Sequence, residues 1–340
     1  MFNQRSGAVL KTLVQEYITT ATPVPSENIA RRAPIKVSSA TVRNKMAELE
    51  EAGYILRPHI SAGGVPSHKG YRFYVESLDD DLELPVASQH EVMGRFRRGL
   101  RDLEEWVEQA ASVLAELSGN MAVVTYPRAA SPRIKAIQVV QLQDLLALLI
   151  VVLNEARLKK NLIPLDGPVG QNDFTSVSNK LNSVYAGLTY NQMLNKTVEL
   201  TPFESLVREE TLRLLKEDDE KRAAEHSVDG LRLLLSQPEF AEPGKAKEVA
   251  GLLEDGLLVK SFMAKAAEQQ KVSVHIGEEN AEGPLKSFSV IICQYGIPDE
   301  ASGVVGVVGP TRLAYSNVIS GVKFLSGFMD EMMSSVHPGH

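Results

Sequence analysis

Ser39, Thr41, Arg43 and Asn44 lie in one short stretch that carries hydroxyl, guanidinium and amide side chains together. Such groups read base edges: asparagine matches adenine, a guanidinium matches guanine, and threonine or alanine methyls meet the methyl of thymine. Downstream, Arg57, His59, Ser61, Lys69 and Arg72 add cations and a hydroxyl of the kind that contact phosphate. The first four are therefore candidates for base-edge or helix-entry contacts, and the last five for phosphate or hairpin contacts.

These side chains can enter a groove only if an element holds them on one face. Ser38 or Ser39 can cap a first turn, and Gly53 is a suitable left-handed stop after Glu50, Glu51 and Ala52. The interval predicts a helix of about three and a half turns. Val42, Met46 and Leu49 recur at i, i+4 and i+7 as its apolar face; Ala40, Thr41, Asn44 and Glu48 point the other way, with Arg43 at the flank.

Upstream, Leu10, Leu13, Val14, Tyr17 and Ile18 predict an amphipathic helix ending near Thr20. Pro23 and Pro25 forbid helix between that end and Ser26, which can cap a short helix, Glu27 to Arg32, that stops before Pro34. Tyr54 to Arg57 reads as a short strand, Ser61 to Pro66 as a glycine-bearing hairpin tip, and Ser67 as the cap of a fourth helix carrying Tyr71, Phe73, Tyr74, Val75 and Leu78. Three helices, a hairpin and a closing helix describe a winged helix-turn-helix over residues 1–84.

Charge agrees. Residues 1–75 hold ten Lys or Arg against five Asp or Glu, or +5, so the remainder of a chain with net charge −7 carries −12. A local basic patch suffices to contact a polyanion when the acid lies elsewhere.

The rest of the chain is long enough for further domains: 340 residues, 44% hydrophobic and 23% charged. Acidic residues from Asp79 to Leu84 and then Pro85 mark a boundary, followed by a linker helix over 85–119. There Phe96, Leu100, Leu103, Val107, Ala110, Leu114 and Leu117 form a seven-residue repeat. The repeat fits either a dimer seam or lever, or a helix packed on its own domain. Strand-like runs follow at Met121 to Tyr126, Ile134 to Leu142, Leu145 to Leu153 and Leu158 to Leu165; short loops favour antiparallel pairing. A helical block spans Phe174 to Met263, in which Thr201-Pro202-Phe203-Glu204 is a helix start with a cap and a glutamate reaching back. Strands return at Val272 to Ile276, Phe288 to Gln294 and Val304 to Val308 before a last helix, Ser316 to Met333. Strands, helices and strands again predict an α+β protein with a sheet domain interrupted by an insertion.

Catalytic signatures are missing: there is no G-x-x-x-x-G-K-[ST], G-x-S-x-G or H-E-x-x-H, and the glycine-rich run Gly303 to Gly309 lacks a phosphate-loop lysine. His59 and His68 flank the hairpin tip, where phosphate contact or simple exposure outweighs metal binding. Glu278 and Glu279, if on a strand, point to opposite faces. The lone Cys293 reads as a small buried hydrophobe. No enzyme activity, cofactor or metal is expected. Arg5 and Lys11 exclude a signal peptide, and Leu145 to Leu153, the longest apolar run, falls short of the ~20 residues a membrane span needs. A cytoplasmic protein is expected.

Several blocks together carry a resemblance: Tyr17-Ile18, Pro23-Val24, Ser39 to Asn44, Met46, Leu49-Glu50, Gly53, Pro58-His59, Ser61 to Gly63, Pro66, Gly70 to Arg72, Gly230 to Phe240, Ile276 to Asn280, and Gly306 to Arg312 with Tyr315. They resemble the HrcA family of bacterial heat-shock repressors from Leu10 to about Phe328. The resemblance implies a GAF-like antiparallel sheet domain, 120–170 with 250–340, holding an inserted, mainly helical dimerisation domain, 171–249. It further implies a homodimer that binds an inverted-repeat operator, the CIRCE element, upstream of chaperonin and Hsp70-type operons. It also implies that heat relieves repression, that a GroE-type chaperonin restores the active form, and that the operator-bound protein is associated with the nucleoid. A metabolite-responsive repressor, with ligand in the GAF-like domain, is the alternative. The sequence departs from the family at Ile60, Gly64 and Ser67, where threonine, arginine and threonine are usual, and at Leu313-Ala314. Loss of an arginine at position 64 implies loss of a phosphate or minor-groove contact.

Overall fold

The computed structural model describes all residues except 1–3, 36, 60–61, 80, 97–102, 130–132, 154–157, 225, 242–243, 246, 248, 250, 252–256, 267–270, 282, 298–300 and 337–340. The chain forms two compact units: Met1–Pro127 with His226–Ile297 and Gly303–His340, and Arg128–Glu225 with Pro298–Ser302.

The first unit opens with α1 (Gln4–Thr20), α2 (Ser26–Arg32) and α3 (Ser39–Glu51), a hairpin of β1 (Ile55–Leu56) and β2 (Val65–Pro66), and α4 (His68–Glu76). The start of α3 is capped as expected: Ser38 Oγ accepts the Thr41 N–H at 3.1 Å. Gly53 closes it at φ +75°. Ser67 caps α4 by accepting the Gly70 N–H at 3.2 Å. Ser26 differs from expectation, for Pro25 is the residue before the helix and Ser26 is its first turn, without a side-chain cap.

Two further helices, α5 (Val86–Phe96) and α6 (Leu103–Ser118), lead to a mixed-order antiparallel sheet. Its strands are β3 (Met121–Thr125), β8 (His226–Asp229), β9 (Ser273–Ile276), β10 (Phe288–Ile297) and β11 (Ala301–Pro310), in the order β8-β3-β11-β10-β9. Alternate residues serve opposite layers. Met121, Val123, Val290, Ile292, Val304 and Val308 pack with Leu234 of α10 (Leu231–Leu235), Phe240, and Leu258 and Phe262 of α11 (Leu257–Ala266). The other face lies under α6 and the C-terminal α12 (Tyr315–Val336). With both faces covered, every residue of β3 is buried. The repeat in α6 is spent within this unit: Val107, Ala110 and Leu114 are buried, and α6 packs on β3, β8 and α12. Leu100 of that repeat lies outside the described residues.

The second unit is built on a three-stranded antiparallel meander of β5 (Ile134–Gln143), β6 (Leu146–Leu153) and β7 (Leu158–Pro164), with α7 (Gln171–Tyr185), α8 (Tyr190–Leu194) and α9 (Pro202–Ala224). The short β4 (Arg128–Ala129) pairs with Ala301 and Ser302. Strands 134–164, expected in the same sheet as β3, instead make their own sheet, because β6 pairs with β5 and β7 along its whole length. The insertion therefore begins near residue 128 rather than 171, and contains a sheet as well as helices. Its end also moves: β8, expected within the helical block, pairs with β3 through Thr125 opposite His226. α7 closes one edge of the meander, since Asn182 exchanges bonds of 2.7 and 2.8 Å with the Ile137 backbone and Ser178 Oγ accepts the Val139 N–H. The expected start of α9 is present, with Glu204 Oε2 accepting the Thr201 N–H at 2.8 Å and Thr201 Oγ1 accepting the Glu204 N–H at 3.3 Å.

Candidate nucleic-acid interface

The amphipathic pattern of α3 resolves into two faces. Val42, Met46 and Leu49 are buried. Ala40, Arg43, Asn44, Ala47 and Glu48 are exposed, and Ser39 and Thr41 are half-buried at the first turn. Thr41 Oγ1 lies 2.9 Å from Ser38 Oγ, so the cap fixes its hydroxyl at the helix entry. The exposed face combines two small residues, one guanidinium, one amide and the Glu48 carboxylate, which Lys45 Nζ holds at 2.6 Å.

Of the described candidates for phosphate contact, Arg57 lines a depression of about 400 Å³ with Arg43 of α3, together with Pro25, Ser26, Glu27, Met46, Ala62 and Gly63. Arg57 Nε also lies 3.2 Å from Glu50 Oε2, which offsets part of its charge. His59 is exposed just after β1, while Ser61 and Ile60 lie outside the described residues.

Lys69 and Arg72 are engaged elsewhere. Lys69 Nζ donates to the Ala52 carbonyl at 3.0 Å and sits 4.2 Å from the Tyr54 ring centroid, where a cation complements the C-terminal end of α3. Arg72 donates from Nε to Glu279 Oε1 at 2.8 Å, and from Nη2 to Glu279 Oε2 and to the Val274 carbonyl. An internal ion pair thus replaces the phosphate contact expected of Arg72, because α4 packs against β9. Glu278 and Glu279 lie on a 3-10 turn, Gly277–Glu279, rather than on a strand. His68 is exposed, and its ring also occupies the space that a Cβ on Gly277 would take.

Gly64 is also corrected in its setting. It is buried at the base of the hairpin and exchanges 2.9 Å backbone bonds with Val24 in both directions. A Cβ there would meet Leu13 Cδ1 at 2.8 Å and Met46 Cε at 2.9 Å. A longer side chain would need those two ends to move before it reached any phosphate.

The sequence reading missed Arg312. Its guanidinium donates from Nη1 to the Ile18 carbonyl at 2.6 Å, from Nε to Glu239 Oε1 at 2.6 Å and from Nη2 to Gln237 Oε1 at 3.0 Å. Burial opposes the Arg312 charge, and the hydrogen bond and charge of Glu239 more than offset it, raising its pKa. The signal lies in the co-occurrence of three separate sequence blocks that contain these residues, but spacing alone does not say that they meet.

Comparison with known proteins follows this geometry. Residues 104–319 match the family model described as the HrcA protein C-terminal domain. The chain is 40% identical over 337 residues to the heat-inducible transcription repressor HrcA of Dehalococcoides mccartyi, covering 99% of this chain and 97% of that protein. It is 38% identical to the HrcA of Herpetosiphon aurantiacus, covering 98% and 96%. A crystal structure of a hypothetical protein shares the fold, with a TM-score of 0.59, 23% identity and 98% of each chain covered. Among the described residues no helix is long and apolar enough to cross a membrane. The chain belongs to the HrcA family of heat-inducible transcription repressors, a family of repressors and not of enzymes.

Proposed function

We propose that this protein represses chaperone operons as a homodimer, each protomer placing α3 of a winged helix-turn-helix in the major groove of one half of an inverted-repeat operator of the CIRCE type. The observation that carries the DNA contact is the outward face of α3, exposed at Ala40, Arg43, Asn44 and Ala47 on a module of net charge +5, with its opposite face buried. Arg43 and Asn44 reach base edges, Ser39 and Thr41 seat the helix entry, and Arg57, His59 and Ser61 meet backbone phosphates.

A bare sheet face in the second unit supports self-association. Val140 of β5 and Leu162 of β7 flank Leu148 of β6 in one row, and Leu158 lies beside Val152 in another. Leu158 and Leu162 are 57% and 51% exposed, against 0% for Leu149 on the opposite face. The row between them is Gln138, Ile150 and Lys160, so the face is mainly apolar with one exposed lysine, a surface that a second copy could cover. In this reading the first unit's sheet is the GAF-like domain and the second unit is the dimerisation domain. Heat lowers the active population by loosening these marginally stable folds, and chaperonin restores it by refolding.

The test is a salt series of binding to a duplex carrying the inverted repeat and to a scrambled duplex of equal length, with and without a GroE-type chaperonin. Repeat-specific binding by a dimer, rising with chaperonin, is expected, and the slope reports the number of phosphates neutralised. Asn44→Ala should relax discrimination at one base position by about 1–3 kcal/mol. Equal losses on both duplexes would remove Asn44 from base reading. Full operator affinity retained after heating without chaperonin would remove the reactivation step.

A further inference from the structure

Two arginines of the first unit turn their forks inward, at two different places where the N-terminal helices meet the sheet. Arg72, on α4, holds both oxygens of Glu279 and the Val274 carbonyl. Arg312, in the turn after β11, holds Glu239 and Gln237 with one side of its fork and the last-turn carbonyl of α1, Ile18, with Nη1. Close to each of them in sequence stands a tyrosine, and Tyr71 of α4 packs at a tilt on Tyr315, ring centroids 5.8 Å apart. Both rings are buried, and the Tyr315 hydroxyl is fixed to Ser289 and the Thr311 carbonyl. Gly277, at φ +56°, completes the seat by leaving room for the His68 ring.

These features divide the work. Apolar contact of Tyr71 with Tyr315 holds surfaces together but is tolerant of rotation. Partly buried bidentate pairs add little net stability after desolvation, yet they accept only a narrow range of positions. The Arg72–Glu279 pair ties α4 to the turn after β9, whereas Arg312, held by Glu239, reaches the end of α1 through its Nη1 bond to the Ile18 carbonyl; two such points fix a rigid body in a way one does not. The Arg312 side chain is only 12% exposed, so its fork has little freedom to find water instead.

We propose that the pairs Arg72–Glu279 and Arg312–Glu239 form a two-point clamp that sets the angle at which α3 is presented, and so the half-site spacing the dimer accepts. Glu279 and Glu239 are positioning residues: they touch no DNA and act through the two arginines. The inference rests on the paired-site reading above. Linking two half-site contacts raises affinity only when the geometry lets both engage together. Freed of the clamp, each module still reads its own half-site but no longer meets the second one in register.

The test uses full-length protein carrying Glu279→Ala, Glu239→Ala or both, with Glu279→Gln and Glu239→Gln as milder versions that keep one acceptor. Binding is measured to a single half-site duplex and to inverted repeats whose spacer is varied one base pair at a time. The expected result is half-site affinity within about twofold of the unaltered protein, with affinity for the preferred repeat down about tenfold in the double Ala variant and the spacing preference flattened. The Gln variants should fall between. Unchanged spacing preference in the double variant would overturn the clamp while leaving the repressor reading intact. Loss of half-site affinity in the Gln variants would overturn it too, since the pairs would then support the fold of the module rather than its angle. An unaltered protein that binds the repeat no better than one half-site would remove the paired-site reading and the clamp with it.

Discussion

The two sheets differ in what they leave uncovered. In the first unit, helices lie over both faces, and residues such as Ile291, Val305 and Val307 are fully buried alongside Val290 and Ile292. In the second unit, α7 covers the face that carries Leu149 and Val151, while Leu158 and Leu162 stand more than half exposed on the other. Similar valine and leucine strands are thus a finished core in one place and an unfinished one in the other. The contrast is what supports the proposal that self-association lies on the second unit.

The comparison can be broken most sharply by a charge in each sheet. Ile291→Asp buries an unpaired carboxylate between two layers and should cost about 4 kcal/mol or more, seen as loss of the cooperative melt. Leu162→Glu on the bare face should instead leave the melting of the monomer nearly unchanged while weakening self-association by about tenfold or more, read by sedimentation; a two-fold interface feels each substitution twice. If Leu162→Glu left the oligomeric state untouched, the bare face would not be the interface. A smaller effect sharpens the second unit alone: Thr201→Ala removes the cap of α9 and should cost about 1 kcal/mol in a denaturant titration.

The smallest effect lies at the first unit's sheet edge and depends on pH. Burial alone would raise the Glu279 carboxyl pKa, but the hydrogen bond from Arg72, the Ile276 N–H and the Arg72 charge hold it below its ordinary value. A carboxyl depressed on folding contributes stability above its unfolded pKa of about 4.3 and loses it as pH falls through the lower folded value. Melting temperatures of the unaltered protein and Glu279→Gln should therefore differ near neutrality and converge in acid. A constant difference across that range would count against an ionised pair.

Local signals were legible and long-range partners were not. Ser38, Gly53 and Ser67 act through atoms within a few residues, so their caps could be placed from sequence alone. The strands at 121–125 and 134–164 were equally plain, for runs of branched residues mark themselves. Which sheet each joins depends on pairing, and 134–164 went to the wrong one. β8 is only His226–Asp229, too short to show alternation, and becomes a strand because β3 offers an edge. Arg57, Lys69 and Arg72 looked alike as cations near a hairpin. Their partners, Glu50, the Ala52 carbonyl and Glu279, separate them, and the last is on a turn far along the chain. The seven-residue repeat in α6 describes an apolar stripe but does not tell whether the facing surface belongs to the same protomer.

Thr125 opposite His226 means that the chain leaves β3 and returns on the adjacent β8, so the segment 128–225 is, to those two strands, the loop of a β-hairpin. Loop length enters stability only logarithmically, about 0.6 kcal/mol for each doubling, so the sheet is nearly indifferent to what is carried there. The inserted segment could accordingly be exchanged, enlarged or deleted at this point without redesigning the two strands that frame it. Under the function proposed above, such a junction would make self-pairing and operator contact separately adjustable.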